Sequence, residues 1–94
     1  MDFDLAFKWD DANLAHIARH QVSPGEAEQI IENDPLDIEA ETVGGEERTT
    51  SVGCTDRGRF LIVVTTLRGT HLRVVTAFPA PKALIDFYFT QKGA

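Results

Sequence analysis

The chain has 94 residues, a formal net charge of −6 and a hydrophobic content of 43%. This length suits a single domain over residues 1–94, and the apolar content excludes an intrinsically disordered chain. The single cysteine excludes an internal disulfide bond. Because no signal-peptide pattern or membrane-spanning apolar run is present either, the sequence predicts a cytoplasmic protein that does not cross a membrane.

The N-terminal third predicts one short strand and two helices. Residues 3–9 alternate loosely between apolar and polar side chains, which is typical of an edge strand. Asp10 or Asp11 then serves as the N-cap of a helix. The sequence "SPGE" at 23–26 has the pattern of a capping box with proline in the first helical position. This second helix is expected to end before Pro35, because the residue preceding a proline avoids helical geometry.

The remainder of the chain predicts an acidic loop, three strands and a final helix. The loop covers 36–47 and is expected to be flexible at Gly44 and Gly45. The predicted strands, joined by short glycine turns, lie at about 48–54, 59–67 and 71–78. A helix follows from about Pro81. The predicted fold class is therefore α+β: a twisted antiparallel sheet of three to four strands packed by two N-terminal helices and one C-terminal helix.

The net charge is divided unevenly along the chain. Residues 1–47 carry 13 acids and two bases, whereas residues 48–94 carry seven bases and two acids, giving charges of −11 and +5. Such asymmetry is typical either of nucleic-acid contact or of ion pairing between the two halves. Since an acidic protein does not attract nucleic acid over long distances, any contact with RNA or DNA has to be local.

A series of motifs resembles the BrnT family, the ribonuclease toxins of type II toxin–antitoxin modules. The motifs are "WDDANLAHIARHQVSPGEAE" (9–28), "GEER" (45–48), "GR" (58–59) and "LRVVTA" (72–77). The resemblance implies a RelE-like fold and RNA cleavage that needs neither a metal ion nor a cofactor. It also implies neutralisation by a cognate antitoxin, usually of the ribbon-helix-helix type, with DNA contacted only through that antitoxin.

Two segments depart from the family pattern. Thr76-Ala77-Phe78 stands where many relatives have Ser-Ala-Arg, and the last helix, "KALIDFYF" (82–89), is apolar where relatives are basic. Its large apolar side chains exceed what one helix face can bury, so the sequence predicts a protein contact there, such as a homo-oligomer. Two functions stay open: a metal-free endoribonuclease toxin, or a non-catalytic BrnT-like interaction module acting through antitoxin binding or self-association.

The candidate catalytic residues combine strand arginines with groups able to transfer protons. When a ribose 2′-hydroxyl attacks its neighbouring phosphate, negative charge accumulates on the phosphoryl oxygens. Guanidinium groups stabilise that charge with paired N–H donors. A histidine or a tyrosine could transfer the protons. The candidates are Arg48, Arg59, Arg73, His71 and Tyr88.

The alternative for these arginines is internal ion pairing. A two-residue turn at 68–69 would place Arg59 opposite Phe78, beside the position where relatives carry an arginine. Exposed arginines often pair with carboxylates instead, and Glu46 and Glu47 are close in sequence to a predicted strand. Three convergent arginines without carboxylate partners would favour the nuclease, whereas arginines neutralised by Glu46, Glu47 or Asp56 would favour the interaction module.

Overall fold

A computed structural model describes residues 6–93 and contains one mixed sheet with three helices. In chain order, its elements are β1 (Ala6–Lys8), α1 (Asp11–Ala18), α2 (Pro24–Glu32), β2 (Leu36–Val43), β3 (Glu46–Cys54), β4 (Phe60–Arg68), β5 (His71–Pro79) and α3 (Lys82–Lys92). The strand order is β1-β5-β4-β3-β2. The α+β class is confirmed, but the predicted antiparallel sheet of three to four strands is a five-stranded sheet in which β1 runs parallel to β5.

The sequence signals at the two N-terminal helices work as predicted. The Oδ1 atom of Asp10 accepts a hydrogen bond from the backbone N–H of Asn13 at 2.8 Å. In the capping box, Ser23 Oγ accepts from the Glu26 N–H at 3.1 Å, while Glu26 Oε1 accepts from the Ser23 N–H at 3.0 Å. These bonds satisfy backbone donors that the first turn of a helix leaves without a partner.

The acidic segment predicted to be a loop is the edge strand β2, and this prediction was wrong. The strand pairs antiparallel with β3, with an irregularity between Asp37 and Glu39. Gly44 and Gly45 have φ values of 59° and 80° and form a tight two-residue turn, for which glycine is strongly favoured. The overlooked signal was the strict alternation of apolar and acidic residues over 36–41, which is the period of a strand.

The register of the β4–β5 hairpin also differs from the prediction. The turn consists of residues 69–70, one residue later than expected, and a register shift leaves Val75 as an extra residue on β5. Phe78 therefore lies opposite Ile62. The predicted pairing of Arg59 with Phe78 is wrong, because both the later turn and the bulge displace β5 relative to β4.

The helices cover the two faces of the sheet unequally. Helices α1 and α2 pack on one face, where the buried core consists of Ile17, Val22, Ala27, Ile30, Leu61, Val63, Val74 and Ala77. Helix α3 lies on the opposite face, since the Phe60 ring is 5.5 Å from Tyr88 and 5.3 Å from Phe89. Side chains alternate along β4, so Thr66 faces the same side as Phe60.

Helix α3 is packed only loosely on its face. None of its described residues is buried, and its contacts are mainly with β2 and β3. Thr66 lies six residues from Phe60, roughly 20 Å along the strand at about 3.3 Å per residue. Helix α3 therefore does not cover the far end of this face. Across residues 6–93, no helix has the length and apolar character needed to span a membrane.

Candidate active site

Three arginines gather around Thr66 on the face that also carries α3. Arg48 on β3 and Arg73 on β5 are the two cross-strand neighbours of Thr66. Arg68 lies two residues farther along β4 and therefore faces the same side. These side chains border an open depression of about 190 Å³, termed the arginine depression, which is lined by Asn13, Glu46, Arg48, Thr66, Arg68, Arg73 and Val75.

Glu46 is the carboxylate within the arginine depression, and it contacts two of the three arginines. Its Oε1 atom accepts a hydrogen bond from Arg48 Nε at 3.1 Å. Its Oε2 atom accepts from Arg68 Nε at 3.2 Å and from Arg68 Nη2 at 2.8 Å. Hydrogen bonds from Arg68 and then Arg48 hold the pKa of Glu46 below the usual range of a glutamate. Glu46 is therefore ionised at neutral pH.

Arg73 is positioned from the opposite side by α1. Its Nη2 atom donates to Asp10 Oδ2 at 2.6 Å, and its Nε atom donates to Asn13 Oδ1 at 3.1 Å. Asp10 also caps α1, so one carboxylate both begins the helix and orients the arginine. The "WDDAN" motif thus contributes directly to the geometry of the candidate site.

The ion pairs do not use up the donors of the three arginines. A guanidinium group carries five N–H donors. Within residues 6–93, Arg48 donates only through Nε, and Arg68 and Arg73 each donate through Nε and Nη2. Each arginine consequently keeps at least one terminal amino group for an external acceptor. The depression combines three cationic side chains with one lining carboxylate, and Glu41 lies opposite Arg48 on the neighbouring strand.

Arg59 lies apart from this cluster, contrary to the expected convergence. Its Nη1 atom donates to the backbone oxygen of Gln21 at 2.8 Å and to both carboxylate oxygens of Glu26 at 3.0 Å. Arg59 directly precedes β4, at the Phe60 end of the sheet rather than the Thr66 end. It joins the α1–α2 connection and the first turn of α2 to the sheet, so its geometry suits a structural role.

The two predicted proton-transfer residues occupy different places. His71 is exposed and lies opposite Arg68 in the β4–β5 ladder, so it is next to a residue that lines the arginine depression without lining the depression itself. Tyr88 lies on α3 with its ring 5.5 Å from that of Phe60, at the other end of the face. The structure thus brings His71 to the candidate site and separates Tyr88 from it.

Among the charged residues that line the arginine depression, Glu46 and Arg68 are not candidates from the sequence. Both would have followed from recognising the turn at Gly44 and Gly45. That turn places Glu46 at the start of β3, where the β3–β4 register brings it beside Arg68. From the sequence alone, Glu46 is expected only to compete for the arginines.

The fold and the arginine depression define a small α+β domain with a local cluster of three arginines on an otherwise acidic chain. The family model of BrnT, described as a ribonuclease toxin of type II toxin–antitoxin systems, matches residues 9–83. This match covers most of the chain and every residue that lines the depression, so the chain belongs to the BrnT family. An antitoxin protein is accordingly its partner. No curated protein and no solved structure matches the chain.

Proposed function

We propose that this toxin cleaves RNA by metal-free transesterification in the arginine depression. The observation that carries the proposal is the row formed by Arg48, Thr66 and Arg73 across three adjacent strands, with Arg68 beside it. Clustered guanidinium groups bind phosphate through paired N–H donors. The row lies on a rigid sheet, which keeps the donors in place while charge develops on the substrate.

The reaction proposed here starts from the ribose 2′-hydroxyl. Its oxygen attacks the adjacent phosphorus, the bond to the 5′-oxygen of the next nucleotide breaks, and a 2′,3′-cyclic phosphate and a 5′-hydroxyl result. The phosphoryl oxygens become more negative on the way to the transition state, and Arg48, Arg68 and Arg73 stabilise that charge. His71 is the candidate acid that protonates the leaving 5′-oxygen, since it lies opposite Arg68, which lines the depression.

The test compares arginines inside and outside the depression. A random-sequence oligoribonucleotide pool is incubated with purified wild-type protein and with Arg48→Ala, Arg73→Ala and Arg57→Ala variants. Loss of one such electrostatic donor lowers a cleavage rate by about 100-fold or more, so the first two variants are expected to be strongly impaired. Arg57 lies exposed in the β3–β4 turn and serves as the matched control. Equal cleavage by all four proteins would contradict the proposed site.

The antitoxin is proposed to be of the ribbon-helix-helix type, as is usual in this family, and the complex to act in the cytoplasm. The acidic net charge of −6 supports operator DNA contact through the antitoxin only. Coexpression with the product of the adjacent gene, followed by copurification and an operator-binding assay, tests this assignment. DNA binding by the toxin alone at physiological salt would contradict it.

A non-catalytic interaction module is the second candidate function. It is supported by the ion pairs, because Glu46 contacts Arg48 and Arg68. Glu26 contacts Arg59 and Asp10 contacts Arg73. All three arginines expected to converge are thus paired with carboxylates, which is the arrangement that favours this module. It is also supported by α3, where Phe87 and Phe89 are 42% and 41% exposed. These rings lie beyond the part of the chain that matches the family model.

The proposed occupant of the exposed α3 surface is a second copy of the chain, forming a homo-oligomer. The oligomeric state is measured by sedimentation equilibrium for wild type and for a Phe87→Glu/Phe89→Glu variant. A wild-type dimer that the variant abolishes supports self-association, and a monomeric wild type contradicts it. If no RNA is cleaved while the antitoxin still binds, the interaction module replaces the nuclease as the function.

A further inference from the structure

The carboxylate of Glu46 occupies an unusual position for a residue that would only neutralise arginines. It lines the arginine depression itself, and its side chain keeps 22% of its surface accessible. An ionised carboxylate offers about four acceptor positions on its two oxygens. Arg48 uses one position on Oε1, and Arg68 uses two on Oε2. One position on Oε1 therefore remains for a further donor.

A ribose hydroxyl is a donor of the kind this position accepts. When a phosphate group binds the terminal amino groups of Arg48 and Arg68, Glu46 lies between the same two guanidinium groups. The 2′-hydroxyl is bonded to the ribose carbon beside the one that bears this phosphate. Anchoring the phosphate therefore brings the hydroxyl to the accessible side of the depression, where Glu46 is the lining carboxylate.

We propose that Glu46 is the general base that removes the proton from the ribose 2′-hydroxyl, a proposal that rests on the RNA-cleaving function proposed above. The Glu46 carboxylate accepts the proton as the 2′-oxygen forms its bond to phosphorus. The bond from phosphorus to the 5′-oxygen breaks, and the 5′-oxygen, which keeps the electron pair of this bond, accepts a proton from the His71 side chain. Proton transfer from water to the imidazole and from the glutamic acid to water restores both groups, so no other reactant is required.

The surrounding charges make Glu46 responsive to the substrate. Arg48 on β3 and Arg68 on β4 face its carboxylate directly, and Arg73 on β5 lies in the same depression. On the flanking elements, the charged groups are Glu41 of β2, which lies opposite Arg48, and Asp10, which precedes α1 and binds Arg73. A bound phosphate accepts hydrogen bonds from the arginines, which partly neutralises their positive charge, and it adds negative charge beside Glu46. Both effects raise the proton affinity of the carboxylate when the substrate is in place.

The opposite interpretation predicts an opposite result. If Glu46 only blocks the arginines, removing its charge frees them for phosphate and accelerates cleavage. If Glu46 is the base, removing its charge stops proton transfer while RNA still binds. The Glu46→Gln variant separates these cases because the amide keeps the shape of the side chain and an oxygen acceptor for the arginines. Glu47→Gln, on the exposed next residue, removes the same charge outside the depression.

The experiment measures single-turnover cleavage of the oligoribonucleotide pool and binding of a fully 2′-O-methylated pool that cannot react. Glu46→Gln is expected to cleave about 100-fold or more slowly than wild type and to bind the methylated RNA at least as tightly. The Glu46→Asp variant, which keeps a carboxylate, is expected to be faster than Glu46→Gln. Wild type is expected to lose activity at acidic pH as Glu46 becomes protonated, and that limb of the pH profile disappears in Glu46→Gln.

Each other outcome overturns a defined part of the reasoning. Cleavage by Glu46→Gln at or above the wild-type rate removes the base role and leaves the proposed function intact. Equal losses of cleavage and of RNA binding assign Glu46 to positioning the arginines, which also overturns the base role. Absence of cleavage by wild type overturns the proposed function and this inference with it. Thermal unfolding of each variant verifies that the fold is retained.

Discussion

Replacing Arg59 by alanine is expected to destabilise the fold and to leave RNA cleavage unchanged. The substitution removes hydrogen bonds to the Gln21 carbonyl at 2.8 Å and to Glu26 at 3.0 Å. The ion pair is partly exposed, with 34% of the Arg59 side chain and 30% of the Glu26 side chain accessible. Such a pair contributes up to about 1 kcal/mol. The bond from a charged donor to the carbonyl adds about 1 kcal/mol more.

A total of about 1–2 kcal/mol lowers the melting temperature of a chain this long by roughly 5–10 °C. Thermal unfolding followed by circular dichroism measures the shift for Arg59→Ala, Glu26→Gln and the double variant. Glu26→Gln keeps an acceptor for the capping bond from Ser23, so the cycle isolates the pair between positions 26 and 59. Cleavage of the oligoribonucleotide pool is measured on the same preparations.

The reasoning fails if the melting temperature of Arg59→Ala equals that of wild type while RNA cleavage is lost. That combination would place Arg59 in the catalytic machinery, which is the role that the sequence predicts for it. Reduced stability with unchanged single-turnover cleavage below the melting temperature agrees with the structural role. Arg48→Ala is the contrasting variant, because within residues 6–93 the only hydrogen bond of the Arg48 side chain is to Glu46.

Two further predictions concern stability. The backbone hydrogen bond from Ser23 is the main reason that the pKa of Glu26 lies below its ordinary value of 4.5. The ionised Glu26 carboxylate therefore stabilises the fold above pH 4.5. This stabilisation is lost as the pH falls through the lowered pKa of Glu26 in the folded protein. The melting temperature of Glu26→Gln should therefore fall less than that of wild type between about pH 5 and 3, and parallel curves would contradict this. A Cβ atom at Gly53 would lie 3.0 Å from Ile30 Cγ2, so Gly53→Ala is expected to cost about 1–3 kcal/mol in urea unfolding. A Cβ atom at Gly25, in helix α2, would have no atom within 4 Å, so Gly25→Ala is expected to stabilise the fold. Similar effects of the two substitutions would count against the packing argument.

Local signals predicted the fold well where a few neighbouring residues decide the geometry. The capping box at 23–26 needs only side chains three residues apart, and it is present with both of its hydrogen bonds. The strand alternation over 36–41 was equally local, but its acidic residues have low strand propensity and favoured a loop. Pairing with β3 overrides that propensity, because the ladder and the turn at Gly44 and Gly45 supply the backbone partners.

The candidate site could be predicted only in part, because it depends on register. Arg48 and Arg73 lie on strands that the sequence predicts. Their positions on either side of Thr66 depend on the registers of the β3–β4 and β4–β5 ladders, which the sequence pattern does not determine. The bulge at Val75 shifts the pairing of β5 with β4 by one residue, and no pattern in the sequence predicts this bulge.

The parallel pairing of β1 with β5 joins Phe7 to Leu72, residues 65 positions apart. The buried side chains of α1 and α2 likewise pack on β4 and β5, which are synthesised after them. During translation, β1 and the buried side chains of α1 lack their β5 partners until the last hairpin has left the ribosome, whereas α2 can already pack on β3. A product that terminates before β5 would lack both the completed core and Arg73, and so would carry no assembled arginine depression.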